Sequence, residues 1–142
     1  MLKLAVIDTS VMIAALLSGR GQSRQVLRLC LTRRCESLMG HKLFLEMEAV
    51  MARQELFRRS LVSSAERLAL FRAFARICRW VEVYYLWRPN VPDESGNHVL
   101  ELAVAGGAEF VVTKNTRDFQ SSELLFPQVQ VVKPEEFVRR MR

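Results

Sequence analysis

Apolar and polar positions follow two alternating patterns along the chain. Short apolar runs such as 2–7 (LKLAVI) and 108–113 (AEFVVT) are typical of strands buried on both faces of a parallel sheet. The segments between such runs carry apolar residues at the three- and four-residue spacing of amphipathic helices. The patterns predict strands at 2–7, 35–40, 80–86, 108–113 and 128–132. They predict helices from Thr9 or Ser10 to about Leu17, over about 22–33, 42–57, 64–79 and 95–105, and from Pro134 onward.

Strands that alternate with helices predict an α/β domain with a mainly parallel central sheet. No internal repeat, low-complexity tract or linker interrupts the pattern, so residues 1–142 are expected to form a single domain. The helix predicted over 42–57 carries an apolar side. Its members are Leu45, Ala49, Ala52 and Leu56.

Composition narrows the class of protein. Half of the residues are hydrophobic and a quarter are charged, as expected of a soluble globular protein. No apolar run reaches the roughly 18 residues that span a bilayer, and Asp8 interrupts the apolar N-terminus. We therefore expect a cytoplasmic protein without a membrane partner. Cys30, Cys35 and Cys78 show no C-x-x-C spacing, so reduced, mostly buried cysteines are expected rather than a zinc site.

Positive charge is clustered along the chain, whose formal net charge is +6. Arg20, Arg24 and Arg28 are spaced four apart and would share one face of a helix. Scattered arginines are also typical of an ordinary solvated surface. Because similar clusters recur at residues 72–79 and 139–142, the sequence favours a polyanionic partner such as nucleic acid.

Several acids fall where parallel strands end or helices begin. Asp8 ends the first predicted strand, Asp93 and Glu94 start the helix at 95–105, and Asp118 follows the strand at 108–113. Glu46 lies in the helix predicted over 42–57. Carboxyl ends of parallel strands share one edge of a sheet, where open α/β folds build their sites.

Carboxylates about 5 Å apart at such an edge would repel by roughly 3 kcal/mol per pair at an effective dielectric near 20. A divalent cation offsets this repulsion, and hard oxygen ligands select Mg²⁺ or Mn²⁺. Each acid also has an ordinary explanation. Asp8 could cap the first helix, Glu46 could lie on a polar face with Glu48 as the inward acid, and Asp118 could cap a turn. Asp93 and Glu94 are favourable beside any helix N-terminus.

Three segments carry a resemblance to a known family. They are residues 6–16 (VIDTSVMIAAL), 45–53 (LEMEAVMAR) and 87–119 (WRPNVPDESGNHVLELAVAGGAEFVVTKNTRDF). In this order they resemble the PIN-domain family of metal-dependent ribonucleases, especially its VapC-like branch of bacterial toxin–antitoxin systems. The resemblance covers nearly the whole chain, and its last segment is long and specific.

The resemblance implies a Rossmann-like α/β/α sandwich, one or two Mg²⁺ or Mn²⁺ ions, and single-stranded RNA as substrate. It also implies a small antitoxin protein as partner, and a homodimer is a further expectation. Asp8, Glu46 and Asp118 match the family's metal-binding acids. Ser10, Thr113 and Asn115 match its polar residues that orient carboxylates or waters.

The sequence departs from the family at one acid. The VapC-like branch has a DEADN-like stretch, whereas this chain reads DESGN at 93–97, so Gly96 stands where an aspartate is expected. Asp93 or Glu94 could compensate for the missing ligand, or a water could fill the position that Gly96 leaves. The sequence predicts a Mg²⁺- or Mn²⁺-dependent endoribonuclease with Asp8, Glu46, Asp118 and Asp93 in the catalytic site. The alternative is a weak or inactive PIN-fold protein that binds RNA or an antitoxin.

Overall fold

The computed structural model describes residues 2–83, 94–119 and 126–142, and within 94–97 it describes the backbone alone. The strands are β1 (Leu4–Ile7), β2 (Glu36–Met39), β3 (Arg79–Trp80), β4 (Phe110–Val112) and β5 (Gln130–Val132). The helices are α1 (Thr9–Leu17), α2 (Gln22–Leu31), α3 (His41–Met51), α4 (Ser64–Ile77), α5 (Glu94–Gly106) and α6 (Pro134–Arg140). Short 3-10 helices span Gln54–Phe57 and Thr116–Phe119.

The five strands form one parallel sheet in the order β3-β2-β1-β4-β5. The chain therefore builds outward from β1 on one side and then returns to β1's other side to add β4 and β5. Helix α5 packs against β1, β2 and β4, while α2 packs against α1, α4 and α6. The α/β class with a parallel sheet is confirmed.

The core consists of apolar strand residues and the inward faces of the helices. Phe110 and Phe137 meet edge to face with ring centroids 5.5 Å apart, and both are almost fully buried. Cys30, Cys35 and Cys78 are buried free thiols, as the sequence predicts. Among the described helices, none is long and apolar enough to cross a membrane.

Two helix boundaries follow local signals in the sequence. The Ser63 side chain accepts a hydrogen bond from the Glu66 backbone N–H at 3.1 Å and so caps α4. Gly107 ends α5 with φ +72°, a left-handed conformation that glycine adopts without a steric penalty. The strand predicted at 80–86 is confirmed only at its start, where β3 is Arg79–Trp80. Residues 84–86 lie outside the described part of the chain.

Helix α3 differs from its prediction in length and in orientation. It ends at Met51 rather than near residue 57, and the 3-10 helix Gln54–Phe57 follows it. The predicted apolar side is exposed, with Leu45 at 47% and Leu56 at 40% exposure. Leu43, Met47 and Val50 are buried instead. Both sets have helical spacing, so periodicity alone could not decide which one faces the core.

The exposed side of α3 lines a groove of about 1500 Å³ between α3 and α4. We call this surface the α3–α4 groove. Its apolar lining includes Leu45 and Ala49 from α3, Ala52 directly after α3, Leu68 from α4 and Trp80 from β3. Its charged lining consists of Arg58, Arg67, Arg72, Arg76 and Glu48. The groove therefore combines apolar lining residues with a predominantly positive charge.

Candidate active site

The candidate site lies at the carboxyl edge of the sheet, where the strand order reverses. Asp8 directly follows β1, and Thr113 directly follows the neighbouring strand β4. The Asp8 backbone N–H extends the ladder between these strands by donating to the Val112 carbonyl at 2.9 Å. In open α/β sheets, the crevice at such a reversal is the usual place for a ligand.

Asp8 occupies the N-cap position of α1, yet its side chain makes no capping hydrogen bond. Its Oδ2 instead accepts hydrogen bonds from the hydroxyls of Ser10 and Thr113, each at 2.8 Å. Helix capping therefore does not explain this carboxylate. Oδ2 is held by two donors, and within the described residues no hydrogen bond to Oδ1 is present.

The two hydroxyls that hold Asp8 are themselves fixed by the backbone. The Lys114 N–H donates to the Ser10 Oγ at 3.1 Å, and the Asn115 N–H donates to the Thr113 Oγ1 at 3.0 Å. Because these N–H groups occupy the hydroxyl oxygens as acceptors, the hydroxyl hydrogens are available for Asp8. Thr113 is fully buried. Ser10 and Thr113 thus contact Asp8 through their side chains, while Asn115 is linked to the site through its backbone.

Glu46 reaches the same region from α3. Its Oε1 accepts a hydrogen bond from the Thr9 hydroxyl, and its Oε2 lies 3.2 Å from Nε2 of His98 on α5. Since Thr9 is the residue after Asp8, this contact brings the Glu46 carboxylate next to the first turn of α1. The Glu46 side chain is 30% exposed, whereas Glu48 is exposed and lines the α3–α4 groove. Glu46, and not Glu48, is the inward acid of this helix.

His98 and Thr9 were missed as site residues by the reading of the sequence. His98 is only 8% exposed, and its Nδ1 is buried without a hydrogen-bond partner among the described residues. A histidine in the second turn of a helix that starts at the carboxyl edge was the available signal. The spacing of cysteines and histidines, which is used to recognise zinc sites, does not identify His98.

The remaining predicted acids do not join Asp8 and Glu46 in the described structure. Asp118 is exposed in the 3-10 helix after β4, where its backbone N–H donates to the Asn115 carbonyl at 3.0 Å. Asp93 lies outside the described residues, and for Glu94 and Gly96 in α5 only the backbone is described. Over the described ranges, no three His, Cys, Asp or Glu side chains gather as a metal-binding group.

Asp8 and Glu46 nevertheless suit a hard divalent cation. Mg²⁺ is commonly held by one or two carboxylates together with waters, and carboxylate oxygens can each accept a hydrogen bond and still offer a lone pair. The donor chemistry of these two residues therefore fits Mg²⁺ or Mn²⁺. A third ligand would have to come from Asp118 or from the segment at 93–96.

The predicted arginine face is only partly present. Gly21, with φ +101°, precedes α2, so Arg20 lies before the helix and not on its face. Arg24 is partly buried, and its Nε donates to the Ala15 carbonyl at 2.9 Å, which ties α2 to α1. Arg28 is exposed near the end of α2. Within this cluster, Arg20 and Arg28 are the cations that solvent reaches most readily.

Comparison with known proteins gives the chain a family context. A family model described as PIN domain matches residues 4–117. A search of curated proteins found no match. The family match includes Asp8, Glu46 and Thr113 and ends just before Asp118.

Two solved structures share the fold. One is a chain in the crystal structure of VapBC2 from Rickettsia felis bound to a DNA fragment from their promoter, with a TM-score of 0.62. It is 10% identical, and the match covers 92% of this chain and 98% of that one. The other is PAE2754 from Pyrobaculum aerophilum, with a TM-score of 0.59 and 12% identity over 98% of this chain and 89% of its own. At these identities the likeness shows the fold alone.

Proposed function

Because the chain belongs to the PIN-domain family, we propose that it is a VapC-like ribonuclease that hydrolyses single-stranded RNA with the help of Mg²⁺ or Mn²⁺. The observation that carries this proposal is the position of Asp8 at the reversal of strand order, with the Glu46 carboxylate hydrogen-bonded to the adjacent residue Thr9. Two carboxylates held at this edge of the sheet are suited to binding a divalent cation, which would offset the repulsion between their negative charges. The Asp8 side chain makes no capping hydrogen bond to α1, so helix capping does not account for its place in this crevice.

Each side chain has a defined part in this proposal. Asp8 and Glu46 would hold the cation, and Asp118, with Asp93 or Glu94, would complete its ligands. When bound, such a cation polarises the phosphate and lowers the pKa of a coordinated water. Ser10 and Thr113 keep the Asp8 carboxylate in one orientation. Arg20 and Arg28 would neutralise phosphates of the RNA backbone, so binding should weaken as salt increases.

We further propose that the α3–α4 groove receives a small antitoxin protein through an acidic amphipathic helix. The groove has an apolar lining that the described part of the chain leaves uncovered, and arginines outnumber acids in this lining. A helix with an apolar face and glutamate flanks matches both properties. A second copy of this basic chain matches them less well, so a homodimer would use another surface.

The partner proposal can be tested with two designed helical peptides that share one leucine face. One peptide carries glutamates on its flanks and the other carries lysines. We expect the glutamate peptide alone to bind, as measured by fluorescence anisotropy. Equal binding of both peptides, binding of single-stranded RNA at the groove, or dimerisation through this face would contradict the assigned occupant.

A second candidate function is an RNA- or antitoxin-binding protein with weak or no catalysis. It is favoured by the absence, over the described ranges, of a third acid beside Asp8 and Glu46, and by Gly96 in place of an expected aspartate. A lost ligand lowers cation affinity and leaves the attacking water less well placed. Under this alternative the fold and the α3–α4 groove are kept, while the rate of RNA cleavage falls.

The two functions are separated by an RNA cleavage assay with Mn²⁺ or Mg²⁺. It compares the unsubstituted chain with Asp8→Asn, Glu46→Gln and Gly96→Asp. We expect cleavage that both Asp8→Asn and Glu46→Gln abolish, and a higher rate for Gly96→Asp if residue 96 is the lost ligand. Cleavage that survives Asp8→Asn would refute the metal-site proposal. No cleavage by the unsubstituted chain, with recovery in Gly96→Asp, would establish the second candidate.

A further inference from the structure

The Glu46 carboxylate is held at both of its oxygens by side chains from two other helices. Thr9, at the start of α1, donates to Oε1, and His98, on α5, contacts Oε2 at 3.2 Å. We propose that Thr9 and His98 are positioning residues that fix the Glu46 carboxylate for binding the divalent cation. This inference rests on the proposed function, because it assigns Glu46 to the cation.

The direction of the histidine contact follows from the chemistry of the two groups. An ionised carboxylate can only accept hydrogen bonds, so Nε2 of His98 must carry the hydrogen that it shares with Oε2. The ring is 8% exposed, and the Thr9 side chain belongs to a residue that is 7% exposed. Both donors therefore approach from the protein interior, where water competes little for the carboxylate.

Fixing a glutamate matters because its side chain has three rotatable bonds. Restricting such a side chain to one conformation costs rotamer entropy. With Thr9 and His98 in place, that cost is met when the protein folds rather than when the cation binds. Residues that hydrogen-bond to metal ligands typically change metal affinity by about 10- to 100-fold when they are replaced.

The arrangement repeats what is seen at the other acid. Asp8 is held by Ser10 from α1 and Thr113 from the end of β4. Glu46 is held by Thr9 from α1 and His98 from α5. Consecutive residues of α1 thus orient the two carboxylates, and one donor for each acid comes from a distant part of the chain. In addition to any acid at its start, α5 contributes to the site through His98.

A purely structural role for His98 makes a different prediction. If the ring only fills space between α3 and α5, a leucine of similar size should preserve cation affinity. If it positions Glu46, cation affinity should fall with leucine and return with glutamine. Glutamine is chosen because its side-chain N–H₂ can donate from about the position of Nε2.

The experiment is a Mn²⁺ titration followed by electron paramagnetic resonance, with thermal unfolding of each metal-free protein. The variants are Thr9→Val, His98→Leu and His98→Gln. Ser37→Ala serves as a control that removes a buried hydroxyl within β2, since Ser37 is fully buried. We expect 10- to 100-fold weaker Mn²⁺ binding for Thr9→Val and His98→Leu, near-original binding for His98→Gln, and no change for Ser37→Ala.

A double-mutant comparison identifies the residue through which His98 acts. In a Glu46→Gln background, His98→Leu should produce little further loss of Mn²⁺ affinity, because both changes remove the same ligand. Original affinity in Thr9→Val and His98→Leu, with weakened binding in Glu46→Gln, would overturn the positioning role and leave the proposed function standing. Failure of the unsubstituted chain and of Gly96→Asp to bind Mn²⁺ would overturn both.

Discussion

Thr113, which follows β4, donates a hydrogen bond to Asp8, which follows β1, so replacing Thr113 with valine is an informative perturbation. Valine keeps the size and branching of threonine but removes the hydroxyl. That hydroxyl donates to Asp8 Oδ2 at 2.8 Å and accepts the Asn115 N–H at 3.0 Å. Thr113→Val therefore removes two hydrogen bonds without opening a cavity.

The size of the effect can be worked out from these contacts. A hydrogen bond to a charged group contributes about 1.5–3 kcal/mol, whereas the exposed Asn115 can find water in place of the lost acceptor. We expect a loss of about 2 kcal/mol in the free energy of unfolding. At roughly 2.1 cal/mol/K per residue, the unfolding entropy of 142 residues is about 0.3 kcal/mol/K, so Tm should fall by about 7 °C.

Urea unfolding gives the free energy, and calorimetry gives Tm. Thr32→Val is the matched control, because the exposed Thr32 hydroxyl donates to the Arg28 carbonyl at 2.8 Å at the end of α2. This variant should change the free energy of unfolding by less than about 0.5 kcal/mol. Equal stability of Thr113→Val and the unsubstituted chain would refute the view that this hydroxyl holds Asp8.

Three further outcomes are expected. Arg28→Ala should reduce the magnitude of the slope of log RNA affinity against log salt concentration by about 0.7. Arg24→Ala should mainly reduce thermal stability, because Arg24 ties α2 to α1. Equal effects of the two variants on the slope would contradict the assignment of Arg28 to RNA binding. Leu45→Glu should abolish binding of the acidic peptide with little change in Tm, since Leu45 is 47% exposed, and the fully exposed Leu61→Glu should leave binding intact. Burial raises the pKa of the Cys78 thiol from 9.0 to about 12 in the folded protein. Between these pH values the unfolded chain binds fewer protons than the folded chain, so the free energy of unfolding falls as pH rises. In urea unfolding at pH 8 and 10.5, Cys78→Ala should lose less stability than the unsubstituted chain; parallel losses would argue against this thiol as a source.

The sequence was sufficient to predict the order of strands and helices and the position of Asp8 at the carboxyl edge of the sheet. Continuous apolar runs identify buried parallel strands whichever face they present, because both faces are covered. Once β1 and β4 are strands, the position of Asp8 at the carboxyl edge follows. The contact of Asp8 with Ser10 and Thr113 required the family resemblance, since a pattern does not specify which hydroxyl points at a carboxylate.

The orientation of α3 could not be predicted in the same way. Apolar residues occupy more than one side of this helix, and Leu43 with Met47 has the same spacing as Leu45 with Ala49. Choosing between the two sides requires knowledge of what packs against the helix. His98 was missed for a related reason: its role depends on contact between α5 and α3, which lie far apart in the sequence.

The pairing of Asp8 with Thr113 spans 105 residues of chain. At the usual synthesis rate of about 5–20 residues per second, roughly 5–20 s separate the translation of these two partners. During that interval β1 can pair with β2, but the strand that completes the crevice does not yet exist. A ribosome-bound N-terminal fragment therefore holds Asp8 and Glu46 without the hydroxyl of Thr113. Synthesis itself therefore delays the pairing of Asp8 with Thr113 until β4 has been made.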